Sequence, residues 1–175
     1  MNALTESQYR TARRGLPPHT PVTVLQIGEQ QSCLIFGTGD APQEMMALAI
    51  GSVKTASLFK RSPPSPAELE HVIMVVEDEV TRARHLAGPD TRLITCDADL
   101  RQLARLAGPS DSNDPPDITL TVEAVEHLFD ELTAVVLGRP AASSGLPNDK
   151  HFAATLLILR ELMHHLQFGS ILIRR

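Results

Sequence analysis

The sequence predicts an α/β fold, a five-stranded mixed sheet flanked by helices. Three observations carry this. Residues 21 to 50 hold three β-branched or apolar stretches joined by short turn-rich breaks. After Gly51 the apolar residues recur at helical spacing instead. Two more strand-like stretches, "TRLITC" and "SILI", are set apart by helical segments. The predicted order is β-β-β-α-α-β-α-α-α-β.

Residues 1 to 20 are polar, carry Arg10, Arg13 and Arg14, and end in "LPPHTP". They read as a solvated tail or short helix leading into a stiff linker. Residues 21 to 175 read as one domain. "PVTVLQIG" and "SCLIFGTG" lie close enough for a hairpin. "EMMALAIG" follows the turn-rich "GDAPQ" and completes an antiparallel meander. "SVKTASLFKR" is a short helix. "SPPSPAELEHVIMVVEDEVTRARHLAG" is a strong one, with Leu69, Val72, Ile73, Val76, Val80 and Ala83 on one stripe. Ser65 fits its N-cap, Pro66 its first position and Glu68 the reciprocal capping-box site. Gly88 and Pro89 end it.

After "TRLITC" comes the short helix "DADLRQLARLAG" and a polar loop, "PSDSNDPPD". "LTVEAVEHLFDELTAVVLG" is a helix capped by Thr121, with Val122, Val125, Phe129, Leu132 and Val136 as its stripe. "KHFAATLLILRELMHHLQF" is apolar around most of its circumference and reads as a buried helix.

A chain of 175 residues with 42% hydrophobic content can bury a core. Its formal charge of −5, with no Trp and one Tyr, offers neither a general attraction for nucleic acid nor a base-stacking platform. No apolar run is long enough to span a bilayer and no secretory signal is visible, so a cytoplasmic setting is expected. Cys33 and Cys96 lie in apolar runs and read as buried free thiols. The histidines, His127, His151, His164 and His165 among them, follow no zinc spacing, and no cofactor pattern is present. Ser143 and Ser144 lack a nucleophile-elbow context.

Several short stretches, in this order, resemble the second lobe of the exopolyphosphatase/guanosine pentaphosphate phosphohydrolase (Ppx/GppA) family. They are "QIGEQQ" followed by "SCLIFG", "AIGSVKTASLF", the helix entry "PPSPAEL", "ITCDADLRQLARL", and the ending from "LTVEAVEHLFDEL" to "GSILI". The resemblance covers roughly residues 21 to 173. It implies a ribonuclease H-like, actin-like lobe. The family's first lobe, which carries its catalytic glutamate, has no counterpart in these residues.

The family's lobe opens on a D-I-G-G-G-S-type loop and has a later G-G-T-x-T-x-L-type loop. By the resemblance the two face each other across one crevice, and glycines there let backbone N–H groups approach phosphate. Here the aspartate corresponds to Gln26, which has no charge for a cation. Gly28 remains. The next glycines correspond to Glu29 and Gln30, and the serine to Gln31. In the second loop Asp97 and Ala98 replace glycines and Asp99 a threonine. At ~4 Å and an effective dielectric of ~20, each carboxylate meeting phosphate would cost about 4 kcal/mol.

The first expectation is therefore a non-catalytic, degenerate relative acting as an interaction or regulatory domain. A homodimer or a partner protein would cover the face that meets the first lobe in the family, which is expected to be apolar. The second is a binding module for nucleotide, (p)ppGpp or polyphosphate, with Lys54, Arg92 and Arg101 as contacts. The third is a phosphohydrolase of the exopolyphosphatase type, completed by a separate first lobe. Glu29, Asp97 and Asp99 could hold magnesium or calcium, against the plainer reading of a helix cap and two solvated acids.

Overall fold

A computed structural model describes residues 3–88, 90–108 and 115–175. The chain runs α1 (Ala3–Arg13), β1 (Val22–Ile27), β2 (Ser32–Gly37), β3 (Glu44–Leu48), α2 (Ser52–Ala56), α3 (Pro66–Thr81) and β4 (Arg92–Thr95). It continues through α4 (Ala98–Ala107), β5 (Asp117–Thr121), α5 (Val122–Val136), α6 (Lys150–His165) and β6 (Ser170–Arg174). The α/β class and the meander stand as predicted. The sheet has six strands in the order β3-β2-β1-β4-β6-β5, one more than the five expected. β4 lies parallel to both β1 and β6, and the other pairs are antiparallel.

The extra strand is β5, whose first residue, Asp117, had been assigned to the polar loop. Residues 109–114 of that loop lie outside the described residues. β5 pairs with β6 from Asp117↔Arg174 to Thr121↔Ser170. That pairing spans about fifty residues of chain, so no local pattern announces it.

One face of the sheet carries Leu25, Ile27, Leu34, Leu93, Ile171 and Ile173 against α3, α5 and α6. The stripe Leu69, Val72, Val76 and Val80 of α3 is buried as expected, and so is the run Ala153–Leu159 of α6. Each fully buried Leu, Ile or Val contributes ~1.5–3 kcal/mol. The predicted capping box is formed, with Glu68 N–H donating to Ser65 Oγ at 3.3 Å and Ser65 N–H donating to Glu68 Oε2 at 2.7 Å. α3 stops at Thr81, short of Gly88. A 3₁₀ turn, Arg84–Leu86, then carries the chain on, and Ala83 is buried outside the helix.

The second face carries Val22, Val24, Ile35, Ile94 and Leu172. α1 lies across it, burying Tyr9 and Ala12, with Leu16 packed beside them. Segment 1–20 thus contributes to the core. Arg13 is buried too, and its guanidinium donates to the carbonyls of Thr20 (2.7 Å) and Thr38 (2.8 Å). Among the described residues the large apolar side chains left exposed are Met45, Leu58, Met74, Leu106 and Leu137. No helix among the described residues is long and apolar enough to cross a membrane.

Candidate functional site: the crevice at the carboxyl ends of β1 and β4

β1 ends at Ile27 and turns through residues 28–31 into β2. Gly28 N–H donates to Gln31 O at 3.0 Å, and a Cβ on Gly28 would stand 2.8 Å from that oxygen. The turn therefore excludes a side chain at this position. Its carbonyls face the first turn of α2. Gly28 O accepts from Ser52 N–H (2.9 Å), and Glu29 O accepts from Val53 and Lys54 N–H, both at 3.0 Å. A Cβ on Gly51 would meet Glu29 O at 2.5 Å and Gln30 C and Gln31 N at 2.6 Å. So Gly28 is required by the turn itself, and Gly51 by the packing of that turn on the start of α2.

The second loop follows β4. Asp97 caps α4, its Oδ1 accepting from Asp99 N–H at 2.9 Å. Its other oxygen, Oδ2, accepts from Ile27 N–H at 3.2 Å. One carboxylate thus ties the end of β1 to the start of α4. Burial pushes the Asp97 carboxyl above its ordinary value, against the opposing pull of the amides of Asp99 and Ile27. Ala98, Asp99, Glu29, Gln30 and Gln31 are exposed.

Beside this junction, on the second face, lies a cavity of about 260 Å³ lined by Gln8, Val24, Leu25, Gln26, Cys96 and Asp97. Gln26 pairs across the hairpin with Cys33. Cys33 is half-buried and Cys96 exposed, unlike the two buried thiols expected, because α1 covers only part of this face. Desolvation raises the pKa of both thiols, so neither is an activated thiolate. The cavity offers two uncharged amides, a protonated thiol and a carboxylate already engaged by two backbone N–H groups.

The two predicted loops are therefore together, joined through Asp97. The predicted basic contacts are dispersed. Lys54 is exposed beside the 28–31 turn. Arg92 lies at the amino end of β4, ~16 Å of strand from Asp97. Arg101 is buried, and its guanidinium donates to the carbonyls of Pro115 and Pro116. Among the described residues no group of three or more His, Cys, Asp or Glu could hold a metal ion. The hydroxyls of Ser143 and Ser144 donate to the local carbonyls of Pro140 and Ala141. Sequence reasoning missed Gln8 and Cys96 as cavity walls. The i, i+3 pair Tyr9 and Ala12 was the available sign that α1 docks here.

No family profile matches the chain, and no curated protein matches it in sequence. Solved structures do match in fold. The Ppx/GppA phosphatase of Aquifex aeolicus superposes with a TM-score of 0.75 at 19% identity, over 97% of this chain and 58% of that one. An exopolyphosphatase from Cytophaga hutchinsonii superposes with a TM-score of 0.75 at 12% identity, again over 97% and 58%. An exopolyphosphatase-like protein gives 0.72 at 14% identity, over 95% and 60%. The chain thus spans under two thirds of the length of these proteins, as one lobe of that actin-like fold does. At these identities the likeness establishes fold alone.

Proposed function

We propose that the chain is a non-catalytic relative of Ppx/GppA phosphatases that works as an interaction or regulatory domain. The observation that carries this reading is the floor of the crevice. The Asp97 carboxylate takes up the amides of Ile27 and Asp99, the kind of donors a bound phosphate would need. Gln26 supplies no charge for a divalent cation, and Glu29 and Asp99 leave further negative charge at the rim. An incoming phosphate meets carboxylates where it would need donors. The partner is a second copy or another protein, met at the crevice-bearing end in a polar contact. A reducing cytoplasm suits the free thiols of Cys33 and Cys96.

The purified chain is expected to release no phosphate from polyphosphate with magnesium, and to self-associate with rising concentration in light scattering. Released phosphate that persists after repurification overturns the reading. A strict monomer at high concentration removes the second copy as partner. Lys54, exposed beside the 28–31 turn, favours one other reading: a module that binds nucleotide, (p)ppGpp or polyphosphate without hydrolysis. A rise in melting temperature with one of these ligands, lost in Lys54→Ala, selects it.

A further inference from the structure

At the opposite end of the parallel strands, where the chain enters β4 and β6, lies a second cavity of about 320 Å³. Its polar walls are Thr91, Arg92, Thr119, Gln167 and Ser170, and Leu172 adds an apolar floor. Register explains the convergence. Leu172 faces the second side of the sheet, and Thr119 is its direct partner. Ser170 is two residues before Leu172, and Arg92 is two before Ile94, which faces the same side. Three adjacent strands thus aim two hydroxyls and a guanidinium into one concavity.

The polar lining consists of groups that can donate: a guanidinium, three hydroxyls and an amide. No carboxylate lines the cavity. Among the described residues the Arg92 side chain pairs with no carboxylate, while its backbone N–H is fixed on Pro21 O at 3.0 Å. Gln167 adds a separate sign. It closes α6 at φ +59, where glycine is the ordinary residue, and Phe168 N–H returns to Met163 O at 2.9 Å. Gln167 thus stands in the cavity wall in the left-handed region, a position where glycine would cost the helix end less.

We propose that this cavity binds a small molecule bearing an oxyanion group, a phosphate or a carboxylate, gripped by Arg92. The planar guanidinium takes two oxygens. The hydroxyls of Thr91, Thr119 and Ser170 and the Gln167 amide meet the remaining acceptors. The rest of the molecule lies over Leu172. The volume is that of a small-molecule pocket. The site lies at the far end of the strands from the crevice, so it stands or falls independently of the reading above.

The test is an amide NMR titration of the full chain with ribose 5-phosphate and, separately, citrate, with ribose as the uncharged control. Saturable shifts are expected at Thr91, Arg92, Thr119 and Gln167–Ser170 with one probe or both, and none with ribose. The arm that responds identifies phosphate or carboxylate as the group. Arg92→Ala should weaken binding at least about tenfold, and Arg92→Lys should recover only part of it. Gln167→Gly should raise the melting temperature yet weaken binding, an opposition that a merely structural residue would not produce. No saturable shift with either probe, shifts equal to those with ribose, or affinity unchanged in Arg92→Ala would each overturn the proposal.

Discussion

Asp97 ties the end of β1 to the start of α4, and its burial lowers stability at neutral pH. Burial raises its pKa, so between the ordinary aspartate value and the raised one the folded chain binds more protons than the unfolded chain. Stability therefore falls as pH rises through that window and stays lower above it. Asp97→Asn removes the charge but leaves one acceptor for the two amides of Ile27 and Asp99. We expect its loss of stability relative to the parent to be smaller near pH 7 than near pH 3, by urea denaturation at both values. A variant that loses more stability at pH 7 than at pH 3 would contradict this. Gly51 sets a steric limit nearby. Gly51→Ala drives a methyl to 2.5 Å from Glu29 O, against backbone that cannot yield cheaply. The expected loss is ~1–3 kcal/mol, as for other overpacked positions, read as a lower thermal midpoint.

Among the elements, α3 is stabilised by its first turn. Glu68 is pulled down to about 2, first by the Ser65 hydroxyl, then by the amides of Ser65 and Lys60. Its contribution is complete above the ordinary glutamate value and is lost as pH falls through about 2. Ser65→Ala should cost about 1 kcal/mol at neutral pH and flatten this acid limb, which denaturation from pH 5 down to pH 2 would show. This capping box could be read directly from Ser65, Pro66 and Glu68, because its partners are three residues apart. The stripes of α3 and α5 were legible for the same reason. β5 was not. Only Ile118 and Leu120 mark it, and its partner strand arrives about fifty residues later. α1 hid because Tyr9, Ala12 and Leu16 are sparse among polar neighbours, and a sheet face must exist before they have anything to cover. At the crevice the residue types were legible, and their arrangement was not. The chain order places Asp97 beside Asp99, but nothing in it reveals the bond to Ile27 N–H.

Across the whole molecule, a charged cluster clamps three helices. Glu161 of α6 is 2% exposed and accepts from Arg160 (2.5 Å) and His165 (3.1 Å). Arg160 also binds Glu126 of α5 at 3.0 Å and lies 4.7 Å over the Phe129 ring. His165 stands 3.7 Å from Glu77 of α3. His164 Nδ1 lies 4.0 Å from Glu126, so the adjacent histidines reach both α5 and α3 from α6, and their rings meet edge to face at 5.2 Å. Glu161→Ala should lower stability by ~1–3 kcal/mol, because it removes the buried acceptor of Arg160 Nη1 and His165 Nε2 and leaves Arg160 with Glu126 alone. Glu161→Gln should recover part of the loss, measured by the same denaturation curves.

The place of β4 between β1 and β6 has a kinetic consequence. Val24 meets Ile94, and Ile94 meets Leu172, so the central ladder joins chain positions some seventy to eighty residues apart. Arg174 also donates to the carbonyl of Arg14, linking the last strand to the end of α1. Little of the middle of the sheet can be secured by neighbouring segments alone. A nascent chain would hold the meander as a fragment, with the face under α1 incomplete, until β4 and β6 have been synthesised. Chains dominated by such distant pairings refold in milliseconds to seconds, well above the microsecond range of helical bundles. Stopped-flow refolding is expected to show that slow range, with Tyr9, the sole tyrosine, reporting late. A submillisecond return of its signal would mean that α1 docks before the sheet is complete.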